Sequence, residues 1–153
     1  MDSVQEIFQA EAEARPQLVE EAAQLQDGSP ILAAYSTLDM GTIKDIFDGS
    51  PSTLIRTREA NPLKLVVTFT NPREMQGVTA RVGGVPTRLT VTLLAAGQEQ
   101  PVIFTQEVES SPTPRDMRLE FGRTYQISQA TLEVLSTPDR EPAHVHLWEV
   151  TFR

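Results

Sequence analysis

The chain has no cysteine among its 153 residues. Disulfides, thiolate nucleophiles, cysteine-ligated zinc and iron–sulfur clusters are therefore excluded, although lacking cysteine does not select a compartment. Only 2 histidines are present, so a transition-metal site would have to draw its other protein ligands from carboxylates. Aromatic residues make up only 6%, few for a strong lectin built on exposed ring faces. Basic residues are outnumbered, 13 Lys+Arg against 21 Asp+Glu, for a net charge of −8. With no basic cluster, nucleic acid and anionic membrane surfaces are poor partners. No apolar run approaches the roughly 20 residues that span a bilayer, so direct membrane insertion is not expected. The opening Met1-Asp2-Ser3-Val4-Gln5-Glu6 lacks the basic and apolar regions of a signal peptide. Nucleophile-elbow, P-loop, Rossmann and zincin motifs are all missing, which argues against an enzyme.

What is present suits one domain with a short extension. The hydrophobic content of 39% is too high for general disorder. Residues 1–29 are acidic and alanine-rich, and helical spacing predicts a helical extension there. Ser3 and Glu6 stand in capping-box positions, followed by Val4, Ile7, Phe8 and Ala12. Pro16 breaks the pattern and opens a second predicted helix to Gln26, with Leu18, Val19, Ala22, Ala23 and Leu25 as its apolar stripe. Asp27-Gly28-Ser29-Pro30 closes it.

From Pro30 the period changes to two. Apolar residues alternate through Ile31–Tyr35, Leu63–Phe69, Val78–Val82, Leu89–Leu93, Val102–Phe104, Met117–Phe121, Leu132–Val134 and Val145–Phe152. Turns rich in Pro, Gly, Asn and Ser separate them. Short strands at this spacing predict an all-β, antiparallel, jelly-roll-like β-sandwich over residues 30–153. In the last strand the apolar phase changes near Trp148, which predicts a β-bulge.

Four places can carry chemistry. Asp48-Gly49-Ser50-Pro51 reads as a tight turn closed by an Asx bond, or as an irregular loop offering oxygens to calcium. Glu149 stands where the bulge is expected. A buried carboxylate needs a partner, and the options are a metal ion or an ion pair from Arg56, which could equally serve Asp48. His144 and His146 alternate and so point the same way. Their string with Glu149 falls one residue short of a cupin metal motif, and the bland reading is a rim position. Arg56 and Arg58 are either solvated and paired or a site for sugar hydroxyls or a carboxylate. Tyr125, between strands, can reach a surface and join them.

Phe47-Asp48-Gly49, Thr53-Leu54-Ile55-Arg56-Thr57, Asn61-Pro62 and the closing Val145–Phe152 resemble, in order and separation, the coagulation factor 5/8 type C (discoidin-like, galactose-binding-like) domains. The resemblance implies a structural Ca2+ held by Asp48, the carbonyl of Ser50, Thr53 and Glu149. Many relatives have a second acidic residue where this chain has Ser50, so affinity is expected to be lower. It also implies a non-catalytic binding module for carbohydrate or another cell-surface ligand, in a secreted or membrane-anchored parent, with the cytoplasm left open. The alternative is a structural or protein-interaction domain without a small ligand. Its interdomain or homo-oligomer contact would run through residues 1–27.

Overall fold

The computed structural model describes residues 18–137 and 144–153. Among them are nine strands and one short 3-10 turn. In chain order the strands are β1 Val19–Gln24, β2 Pro30–Tyr35, β3 Leu38–Met40, β4 Ile55–Thr57, β5 Leu63–Val82, β6 Thr87–Ala95, β7 Val102–Val108, β8 Arg115–Ser136 and β9 His146–Phe152. Every pairing among them is antiparallel.

The helix expected over residues 16–26 is not formed where the structure describes the chain. Val19–Gln24 is a strand, paired in register with β2 from Val19↔Tyr35 to Gln24↔Pro30. The turn between them is closed by Gly28 N donating to Leu25 O at 2.9 Å and Leu25 N to Ser29 O at 2.9 Å. Asp27 Oδ1 accepts from Ser29 N at 2.9 Å, and Gly28 takes a positive φ of 84°. Aspartate followed by glycine in such a turn specifies a hairpin. The supposed helical stripe is mostly solvent-facing, with Val19 41% exposed and only Leu25 buried. The first predicted helix lies outside the described residues.

β5 and β8 organise the rest. β5 has 20 residues and β8 has 22. A straight strand of that length would extend roughly 65 Å, too long for a domain of this size. Each instead serves two layers. Leu65–Phe69 of β5 pairs with β2 and Leu63–Thr68 with Gln129–Val134 of β8, while Val78–Val82 pairs with β9 and Gly77–Val82 with Arg115–Glu120 of β8. The ladder breaks between Thr68 and Arg73 and between Met75 and Gly77, which marks the corner. One layer runs β1-β2-β5-β8-β6-β7 and the other β3-β4-β9-β5-β8.

The core lies between the layers. The predicted alternation holds: Leu63, Leu65, Val67, Val78, Ala80, Val82, Leu89, Val91, Leu93, Met117, Leu132 and Val134 are all buried. Rings bridge the two sides. Phe69 meets Phe152 edge-on at 5.3 Å, and Phe104 stacks on Phe121 at 4.9 Å. Phe47, from the loop after the 3-10 turn Ile43–Ile46, stacks on Phe152 at 6.5 Å.

The expected bulge is present. Val82 faces Leu147 while Arg81 faces Glu149, so Trp148 is the extra residue. It lets Val145 and Leu147 before it, and Val150 and Phe152 after it, all reach the core. Beside it the chain turns at Gly83-Gly84. Gly84 packs backbone to backbone, for a β-carbon there would lie 2.2 Å from Ser111 O, and Ser111 N donates to Gly84 O at 2.7 Å.

Candidate functional site

The Asp48 loop and Glu149 meet as the sequence suggested. Asp48 Oδ1 accepts from Ser50 N at 2.8 Å, the expected Asx turn, and Asp48 Oδ2 accepts from Thr53 Oγ1 at 2.8 Å. Thr53 Oγ1 also lies 2.9 Å from Asp45 O and 3.4 Å from Ser50 O. The loop is fastened to β9 across a hundred residues: Gly49 N donates to Glu149 Oε2 at 2.9 Å. Gln26, from the β1–β2 hairpin, donates from Nε2 to the same oxygen at 2.7 Å and to Val150 O at 2.8 Å. Gln26 was missed in the sequence because its segment was read as helical.

The ion pair expected between Arg56 and Glu149 or Asp48 does not form. Arg56 instead grips Asp39 of β3 with two bonds, Nε to Oδ1 at 2.7 Å and Nη2 to Oδ2 at 3.1 Å. This fork matches the planar guanidinium to a carboxylate. The hydrogen bond from Arg56 is the main cause holding the Asp39 carboxyl below its usual range.

Among the described residues no cationic side chain pairs with Glu149. Its Oε1 is buried and makes no hydrogen bond. Burial pushes its carboxyl up, against the bonds from Gln26 and Gly49, and the Asp48 carboxylate pushes it further. At Asp48, burial also acts upward but is outweighed by the Ser50 N–H and the Thr53 hydroxyl, so this carboxyl stays low.

A second cluster lies at the start of β9. Arg56 is the Cα partner of His146 across β4 and β9. His144 Nδ1 lies 2.8 Å from Thr57 O and 3.9 Å from Asp39 Oδ2. Buried Thr57 ties this corner together, accepting from Val145 N at 2.8 Å and donating to Ala60 O at 2.7 Å. Asn61 braces the strand entry from the other side, donating to Ser136 O at 2.9 Å and accepting from Ser136 N at 3.0 Å. His146 stacks on Trp148 with centroids 6.0 Å apart. Burial pushes the His146 imidazole down, and the charge of Arg56 adds to that. Arg58 is exposed in the turn after β4. Sequence reasoning missed Asp39, whose signal would have needed the β3–β4 pairing.

Tyr125 does not join the arginines. It faces Met75 across the β5–β8 ladder, whereas Ile55, beside Arg56, aligns with Leu147 and through it with Val82. Met75 and Val82 are separated by roughly 20 Å of extended chain. Tyr125 packs against Phe104 and Phe121 beneath Arg123, whose guanidinium carbon is 4.6 Å from the ring centroid.

These features define a discoidin-like β-sandwich, the fold of factor 5/8 type C domains and family 32 carbohydrate-binding modules. The chain is similar to the family 32 module of C. perfringens NanJ, solved with galactose, at 12% identity and TM-score 0.62, over 88% of this chain and 98% of that one. It is similar to a factor 5/8 type C domain from Bacteroides fragilis at 10% identity and TM-score 0.62, over 87% and 95%. The family 32 module of AlyQ, solved with 4,5-unsaturated mannuronic acid, matches at 12% identity and TM-score 0.57, over 79% and 92%. No family model matches the sequence, and no curated protein does.

The residues at the loop fit a calcium ion. The donors are oxygens, as a hard cation requires. Two neighbouring carboxylates lack a counter-charge among the described residues, and one oxygen is orphaned and buried. Among the described residues no group of three or more His, Cys, Asp and Glu side chains is placed to hold a metal. That removes the His144–His146–Glu149 reading. Any ion at the loop would therefore combine Asp48 and Glu149 with the Ser50 carbonyl and the Thr53 hydroxyl. No described helix is long and apolar enough to cross a membrane.

Proposed function

We propose that this chain is a non-catalytic module that binds carbohydrate at the Arg56–Arg58 corner. The observation that carries this reading is the Arg56–Asp39 fork. It fixes a guanidinium and a carboxylate in one geometry at a rim, beside His144 and the aromatic pair His146–Trp148. Fixed, paired polar groups next to an aromatic face are what sugar recognition requires: hydroxyls need both donors and acceptors, and ring carbons need an apolar surface. Solved neighbours of the same fold in complex with galactose and with an unsaturated mannuronic acid support it. Arg58 extends the corner toward solvent. An exported parent protein accords with this reading, since surface glycans lie outside the cell.

Calcium at Asp48, Ser50, Thr53 and Glu149 staples the loop to β9 and does not touch the sugar. It supplies positive charge to a pair of carboxylates and leaves the Arg56 corner in place.

A glycan array in calcium and then in chelator tests the reading. A reproducible hit lost in Arg56→Ala or Arg58→Ala is the expected result. A blank array under both conditions overturns it in favour of a protein-interaction domain. One feature favours that second reading: among the described residues β1 pairs only with β2, and a strand edge without a neighbour offers its backbone groups to a partner strand.

A further inference from the structure

The layer β1-β2-β5-β8-β6-β7 turns one face to the core and the other outward. On the outward face the ladder registers align Leu32, Thr68, Gln129 and Leu94 in one row. They align Ala34, Val66, Thr131, Thr92 and Ile103 in the next. No charged residue stands in either row, in a chain with a net charge of −8. Leu32, Leu94 and Ile103 are 45%, 43% and 63% exposed. At the centre Gln129 Nε2 donates to Thr68 Oγ1 at 3.1 Å, so a cover can leave that bond intact. A contiguous uncharged face of this kind marks a surface of interaction.

The size of the face selects its cover. From β2 to β7 it extends roughly 19 Å, and two rows add about 14 Å in the other direction. That is about a third of the ~800 Å² per partner buried by a stable dimer. It matches instead a single helix, roughly 10 Å wide and rising about 1.5 Å per residue. Residues 1–17 join the described chain at Leu18, immediately before β1, the outermost strand of this layer. Their sequence carries Val4, Ile7, Phe8 and Ala12 at helical spacing. Glu11, three residues after Phe8 and seven after Val4, falls on the same side. The border of the face offers it a charge. Lys64, next after Val66 on this side of β5, is exposed and forms no ion pair among the described residues.

We propose that residues 3–14 cover this face as an amphipathic helix lying across the strands. Ile7 and Phe8 sit over its centre between Leu32 and Leu94, Val4 points toward Ile103, and Glu11 points toward Lys64. Such a helix is roughly 18 Å long, and Arg15-Pro16-Gln17 supplies about 10 Å of chain to turn from it into β1. The segment is then an integral part of the sandwich. The Arg56 corner lies on β4 and β9 of the other layer, so the cover leaves it open.

The chain has no cysteine, so a spin label on Gln9→Cys, opposite the stripe, is the only one in the full chain. The expected result is loss of the methyl signals of Leu32, Leu94 and Ile103, while Met40, exposed on β3 of the other layer, keeps its intensity. Equal signals at all four overturn the proposal. The same losses in isotope-labelled chains mixed with separate spin-labelled chains overturn it in favour of a second copy. Melting curves of the full chain give an independent check. Ile7→Ala/Phe8→Ala and Leu94→Ala/Ile103→Ala are each expected to lower the midpoint by about 5 °C, and in combination to overlap instead of adding. Additive shifts, or no shift from the segment variant, overturn the cover. None of these outcomes bears on sugar binding.

Discussion

Glu149 combines a carboxyl that burial pushes up with a buried oxygen that no donor among the described residues reaches. Glu149→Gln is expected to melt at or slightly above the wild type in chelator, because a half-buried charge is removed while the bonds from Gln26 and Gly49 can persist. In calcium the order reverses. An ion at about a hundred times its dissociation constant stabilises the wild type by about 2.7 kcal/mol, and the variant gains little. Thermal melts of both proteins with calcium and with chelator check this, and a wild type indifferent to calcium would remove the ion from the account. Tyr35 gives a second measurement at this scale. Its hydroxyl donates to Glu21 Oε2 at 2.7 Å, and burial, with that bond, pushes its phenol up to about 12. The folded value lies above the unfolded one, so the bond's contribution is complete below about pH 10 and is lost as pH rises through about 12. An alkaline absorbance titration of wild type minus Tyr35→Phe should show a single phenol ionising above the ordinary tyrosine range.

Among the elements, the β1–β2 hairpin joins more of the molecule than its exposed surface suggests. Gln26 at its tip bonds both Glu149 and the backbone of Val150. Gln26→Ala should cost about 1 kcal/mol and raise hydrogen exchange in Val19–Gln24 more than in β6. Uniform exchange would mean the hairpin is held by its ladder alone. This segment is also where the sequence misled. Val-Glu-Glu-Ala-Ala-Gln has good helix formers and poor strand formers, and its apolar positions fit a helical period. The ladder with β2 and the Asp27-Gly28 turn override that preference, and only pairing reveals it. The strands after Pro30 were legible because each buries one face, so alternation is written directly in the residues. The Trp148 bulge was legible for the same reason, as a break in that alternation. Asp48, Ser50, Thr53 and Glu149 came together as the family resemblance implied. Asp39 and Gln26 stayed hidden because each acts through a strand neighbour distant in sequence.

For the whole molecule, the decisive fact is that β5 and β8 belong to both layers. Neither layer can unfold without dismantling the strands of the other. Trp148 reports the layer containing β9, whereas far-ultraviolet dichroism reports both. Denaturant curves from the two probes should coincide as one two-state transition. Separated midpoints would mean that the layers fold as distinct units.

Gly83 and Gly84, adjacent in the chain, are under unlike constraints. At Gly83 a side chain would touch only the tryptophan ring, at ordinary contact distance, whereas at Gly84 even a methyl would collide with the carbonyl of Ser111. Saturation mutagenesis of the chain, selected for display and separately for ligand capture, would part the two. Position 84 would admit glycine alone in both selections, a mark of architecture. Position 83 would be permissive for display and restrictive only for capture, the statistical signature of a residue kept small for the sake of a guest.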